Sequence, residues 1–105
     1  MIGVELIAVE RKRQIEAEGW TPEHDDGHTE GELVEAAIRY AYEGIRRGLD
    51  PSEVTDFNLP KWPWDRASWK PSATRGVIRR PDAIRNLAKA GALIAAEIDR
   101  LQREK

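Results

Sequence analysis

Two histidines and a run of carboxylates stand close together early in the chain. The segment 19–35, GWTPEHDDGHTEGELVE, holds His24 and His28, Asp25 and Asp26, and Glu23, Glu30, Glu32 and Glu35. No lysine or arginine occurs between Gln14 and Ile38. Imidazole nitrogen and carboxylate oxygen are the ligand types of divalent cations, so His24, Asp25, Asp26 and His28 are metal candidates. Three of the four are consecutive in what reads as a polar loop, and so cannot all point at one ion. Their spacing matches no common zinc pattern. The competing expectation is that these side chains cap and buttress the helix that follows. Hard-cation binding through the carboxylates stands between the two.

Glu32 and Glu35 form an E-x-x-E pair on one helix edge. Carboxylates at i,i+3 are neighbours and repel unless a cation or a base lies between them. A Mg²⁺ ion would serve, with Glu32, Glu35, Asp25 and Asp26 as its candidate ligands and Glu32 and Glu35 as the catalytic pair. Arg39 or Lys89 would serve instead without any metal. Thr29 and Glu32 also spell a capping box. Nucleophilic chemistry has little support: there is no cysteine, no G-x-S-x-G, and Ser52, Ser68 and Ser72 have no marked partner. A phosphate loop of the G-x-x-x-x-G-K-S/T type is absent.

The opposite charge lies in the other half. Residues 14–38 carry eight acids and no bases, whereas residues 57–89 carry eight bases against Asp65 and Asp82. Either the two halves neutralise each other on the surface, or they form a pocket with one wall for cations and one for phosphates. Arg11, Lys70, Arg79, Arg80 and Lys89 are the candidate phosphate ligands. Trp62, Trp64 and Trp69, beside Lys61, Arg66 and Lys70, could stack a base or simply cover the core. With a net charge of −2 the chain does not suit duplex nucleic acid.

These residues need a scaffold, and 105 residues make one domain, 1–105, with a small core. The lack of cysteine excludes a disulfide framework and thiolate metal sites and fits a cytoplasmic protein. The first residues read as a helix rather than a signal peptide, and no apolar run approaches a membrane span. The expected fold is all-α: three main helices plus a long Trp/Pro-rich loop, in an oligomeric bundle.

A first helix is expected over 4–18, with Val4, Ile7, Ala8 and Ile15 on one face and Gly19 as its stop. Arg11, Gln14 and Glu18 fall on that same face. They pair among themselves, as Gln14 with Glu18, or Arg11 and Gln14 reach into a ligand site. A second helix over 30–47 is apolar around more than half its circumference and reads as the central one, ended by Gly48. Asp50-Pro51 reads as a further N-cap. Residues 57–76 should lack regular structure. The last helix begins near Pro81, and Ile84, Leu87, Gly91, Ile94, Ile98 and Leu101 follow the 3-4 spacing of a coiled-coil seam. That seam should pack along the second helix or along its copy in a partner subunit, with Asn86, Lys89 and Glu97 off it.

Two resemblances follow from these motifs. ERKRQ at 10–14, GWTPEHDD at 19–26, WPW at 62–64, WKP at 69–71 and KAGALIAAEI at 89–98 together resemble a set of small phage and prophage proteins, a likeness that brings no activity with it. The E-x-x-E helix followed by a second long helix is similar to the MazG-like all-α nucleoside triphosphate pyrophosphohydrolases. Those are helical oligomers that hold Mg²⁺ with carboxylates from two helices and cleave a nucleotide between its α and β phosphates. Glu32 and Glu35 match the first half of that pattern, and the second acid pair falls at Asn86 and Lys89. The resemblance therefore implies either a hydrolase completed by Asp25 or Asp26, or a protein that binds and sequesters a nucleotide or nucleotide-derived signal without cleaving it. A third expectation is a protein-interaction module anchored by its tryptophans.

Overall fold

A computed structural model of the chain describes residues 1–45 and 59–105. The expected end of the second helix at Gly48 and the Asp50-Pro51 cap lie outside the described residues. The fold is all-α: α1 (Gly3–Ala17), α2 (Pro22–Asp26), α3 (Glu32–Ile45) and α4 (Arg80–Arg103). Among its described residues the long Trp/Pro segment contributes a 3₁₀ turn at Arg66–Ser68 and an isolated bridge between Thr74 and Val77. Among the described residues no helix is long and apolar enough to cross a membrane.

Each helix boundary has a local cause. The Glu5 carboxylate accepts the Ile2 backbone N–H at 2.9 Å and ties down the first turn of α1. Gly19, at φ +73°, turns the chain out of α1. Thr21 accepts the His24 N–H at 3.2 Å with Pro22 at the first helical position, so α2 begins with the strongest start signals a short helix can have. That element lies in the segment expected to be a loop. Asp82 closes the first turn of α4 by accepting the Arg79 N–H at 3.1 Å. The expected capping box at Thr29 differs in register: the Glu32 carboxylate takes the N–H of Glu30, at 2.6 Å.

The core is small-residue packing between α3 and α4. Leu33, Ala36, Ala37 and Tyr40 meet Ala90, Leu93 and Ala96, and alanines let the two backbones approach closely. Trp20, Trp62, Trp64 and Trp69 lie over this core as a lid. The hub of the fold is α4, not α3: α1, α2 and α3 all pack on it. Its buried face is also not the apolar seam. Asp82, Asn86, Ala90, Leu93, Glu97 and Arg100 are buried, while Ile84, Leu87, Ile94, Ile98 and Leu101 are each 46–51% exposed. Gly91 lets α1 approach, since a Cβ there would lie 2.6 Å from the Ile7 Cδ1.

Candidate functional site

A cavity of about 430 Å³ opens between α1, α4 and the Trp/Pro segment. One turn after another of α1 supplies Glu10, Arg13, Gln14 and Glu18 to its wall. Lys70 comes from the segment after the 3₁₀ turn, and Arg85 and Lys89 come from α4. Trp20 and Tyr40 give it aromatic surface, and Leu6, Val9 and Ile84 its apolar part. A volume in this range suits a small organic ligand.

The charges are mixed but not balanced. Four cationic side chains (Arg13, Lys70, Arg85, Lys89) line the wall with two carboxylates (Glu10, Glu18), and Arg85 also pairs with Asp82 at 3.5 Å, which leaves an excess of one positive charge. Arg13 forks onto Glu10 at 2.7 and 2.8 Å and reaches Glu18 at 3.1 Å. Lys70 approaches Glu18 from the opposite wall at 3.4 Å. Burial pushes the Glu18 carboxyl upward, but Arg13 and Lys70 more than offset this and hold it below its ordinary range.

Lys89 is half-buried and its Nζ donates to the Lys70 carbonyl at 2.7 Å, 5.5 Å above the Tyr40 ring. Desolvation lowers its pKa, against the attraction of Glu10 and Glu18. Burial likewise pushes the Tyr40 phenol up to about 12, and its oxygen accepts the Lys70 backbone N–H at 3.3 Å.

Gln14 is the unusual member. It is 1% exposed, and its Nε2 donates to Glu10 Oε2 and to the Lys89 carbonyl, both at 3.4 Å. Its Oε1 is buried with no hydrogen-bond partner. An unmet buried acceptor costs about 1–3 kcal/mol, and a donor on a bound molecule would satisfy it.

Of the residues singled out in the sequence, Lys70 and Lys89 line the cavity. Arg11 does not: it donates to the Trp20 carbonyl at 3.1 Å and to Asp25 at 2.6 Å, and the Asp25 side chain is fully buried. Asp26 pairs with Arg103 at 2.8 Å on the surface. Glu32 serves the start of α3, where backbone N–H groups hold its carboxyl below the ordinary range. Glu35 is half-buried on the same helix, and its carboxylate makes no hydrogen bond or ion pair among the described residues.

Among the described residues no group of three or more His, Asp or Glu side chains converges to hold a metal ion. Asp25, Asp26, Glu32 and Glu35 are thus not brought together into one Mg²⁺ cradle, and Asp25 already has its cation in Arg11. Arg79 and Arg80 are exposed at the start of α4, outside the cavity wall. Trp62, Trp64 and Trp69 spend their faces on one another and on Tyr40, with ring centroids 4.8–5.4 Å apart.

Glu10, Arg13, Trp20, Tyr40 and Arg85 were not among the expected site residues. The signal that could have found this wall is the polar set Arg11, Gln14 and Glu18 on the apolar face of α1. Two of those three do line the cavity.

A second pocket of about 270 Å³ shares Trp20 and Ser68 with the first. Its wall consists of Trp20, His24, His28, Trp64, Asp65 and Ser68. No family model, no curated protein and no solved structure matches the chain.

Proposed function

We propose that this protein binds a nucleotide or nucleotide-derived small molecule in the cavity between α1 and α4, and does so without hydrolysing it. The observation that carries the reading is the excess of cations over carboxylates on a wall that also holds two aromatic side chains and the unpartnered Gln14 Oε1. Lys70, Arg85 and Lys89 take phosphate oxygens. A base or ribose donor meets Gln14 Oε1, and Trp20 or Tyr40 supplies aromatic contact. Hydrolysis of the pyrophosphohydrolase kind needs converging acids for Mg²⁺, and three of the four carboxylates that could serve, Asp25, Asp26 and Glu32, are engaged in three separate places.

The test is calorimetry with a panel of nucleoside mono-, di- and triphosphates and cyclic dinucleotides, in chelator and in Mg²⁺, with chromatography of the products. Binding that persists in chelator and leaves the ligand intact supports the proposal. Turnover that needs Mg²⁺ and disappears in Glu32→Gln and Glu35→Gln would establish a hydrolase instead. No uptake of any nucleotide leaves the interaction-module reading.

The same proposal includes a second copy of the chain on the outer stripe of α4. Ile94, Ile98 and Leu101 follow one another at 4-3 spacing and are each about half exposed, beyond the turns where Leu87 meets Gly44 and Gly91 meets Ile7. A stripe of that period is what an identical helix interlocks with.

A further inference from the structure

The second pocket holds an arrangement that nucleotide binding does not use. Thr21 and Pro22 start α2, and Gly27 ends it, so the chain turns and the His28 backbone N–H returns to the Asp25 carbonyl at 2.9 Å. This brings the two imidazoles together, with ring centroids 4.6 Å apart and Nε2 to Nε2 at 3.4 Å.

The other nitrogen of each ring faces a carboxylate. His24 Nδ1 stands 3.4 Å from Asp25 Oδ1, and His28 Nδ1 stands 3.3 Å from Glu32 Oε2. A carboxylate only accepts, so an imidazole that binds a metal through Nε2 can present its Nδ1–H to the carboxylate behind it. Both carboxylates are fixed from behind. Asp25 is held by Arg11 at 2.6 Å and Glu32 by the Glu30 N–H at 2.6 Å.

The two Nε2 atoms stand 3.4 Å apart at the edge of the pocket. A tetrahedral zinc ion with Zn–N bonds of about 2.0–2.1 Å sets two ligand nitrogens about 3.3–3.4 Å apart. Carboxylates on the distal ring nitrogens are the usual supports of metal-bound imidazole.

We propose that His24 and His28 form a binding site for a divalent transition-metal ion, zinc by its ligand chemistry, held through both Nε2 atoms with water in the remaining positions. No third His, Asp or Glu completes the group among the described residues. Both histidines line the pocket of about 270 Å³ shared with Asp65 and Ser68, which has room for the ion's water ligands. The side chains of His24 and His28 are 38% and 20% exposed, so an ion can reach them.

The experiment is titration of Zn²⁺ alone into the chelator-stripped full chain, read by calorimetry and by long-range ¹H–¹⁵N spectra of the imidazoles. The expected result is one ion per chain, with both Nε2 resonances moving together. His24→Gln and His28→Gln each lose the uptake, and Glu32→Gln weakens it about tenfold or more. Glu23→Gln, beside the pair but outside it, leaves uptake unchanged, and circular dichroism confirms that each variant is folded.

Absence of uptake at millimolar Zn²⁺ overturns the proposal. So does uptake that survives both histidine variants, which would place the ion on surface carboxylates. Spectra of the native chain showing a proton bridging the two Nε2 atoms that Zn²⁺ does not displace would also overturn it, and need no variant.

Discussion

Arg11 shows how a residue's chemistry is decided by what it is buried against. Its side chain is 14% exposed and its partner Asp25 is fully buried. The pair therefore joins α1 to α2 rather than meeting a ligand. Removing the cation leaves a buried carboxylate without compensation, which costs about 3–5 kcal/mol. Arg11→Met is therefore expected to lower unfolding stability in urea by that order and to disturb the His24 ring, since Asp25 Oδ1 orients it. A loss under about 1 kcal/mol, typical of an exposed pair, would mean that solvent reaches Asp25.

At this scale the sequence was partly legible. The pattern of α1 showed that Arg11, Gln14 and Glu18 sat on an apolar face and needed partners. It could not show that Arg11 would reach Asp25, fourteen residues on, while Gln14 would bond Glu10 and the Lys89 carbonyl rather than Glu18. Partner choice depends on how α2 and α4 dock, which periodicity does not encode.

Among the elements, α4 depends on one buried carboxyl. Asp82 accepts from Ser72 Oγ at 2.8 Å, Thr74 Oγ1 at 2.7 Å and the Arg79 N–H at 3.1 Å. It thereby ties the end of the Trp/Pro segment to the first turn of the hub helix. Burial pushes its pKa up, but these donors and Arg85 more than offset that and hold it below the ordinary 3.8. For a depressed carboxyl the folded state releases its proton more readily than the unfolded chain. The stabilisation is fully present above about pH 4 and drains away as the pH falls through the lower folded value. Asp82→Asn is expected to lower the melting temperature at neutral pH and to flatten the acid limb of the stability profile, as followed by circular dichroism. An acid limb identical to that of the native chain would contradict this role.

Helix ends were the most readable feature. The expected 4–18 became Gly3–Ala17, and the start expected near Pro81 became Arg80. α2 was missed because five residues show no periodicity, although Thr21-Pro22 is a helix start in its own right. Of the two placements open to the α4 seam, packing along α3 falls mainly to another stripe: Ala90, Leu93 and Ala96 are inside, whereas Ile94, Ile98 and Leu101 are about half exposed.

For the whole molecule, that outer stripe is the feature a single copy leaves unfinished. A chain of 105 residues has a small core, and in the proposed dimer the large aliphatic side chains half in water along α4 are what a second copy would cover. Light scattering is expected to give twice the chain mass at micromolar concentration, and Ile98→Asp, placing a charge in the seam, is expected to halve it. A native chain that stays monomeric at all concentrations would contradict self-association through α4.

The charge asymmetry between the halves was legible in the sequence, and one cross-pairing, Lys70 with Glu18, does span the cavity. Its acidic wall comes from Glu10 and Glu18 on α1, however, and not from Glu32 and Glu35. Only the three-dimensional return of the chain from residue 59 onward sets Lys70, Arg85 and Lys89 opposite α1.

Lys89 offers the most direct measurement of the central claim, because its charge is destabilised by burial until an anion arrives. Nucleotide affinity, measured by calorimetry in chelator across pH, should be highest where Lys89 is protonated. It should fall as the pH rises through a value below the ordinary 10.5 of a lysine. Lys89→Met, which keeps the stem and removes the charge, should weaken binding about tenfold or more and abolish that pH dependence. Unchanged nucleotide affinity in a folded Lys89→Met chain, or binding that maps to the outer face of α4, would contradict the placement of the ligand in this cavity.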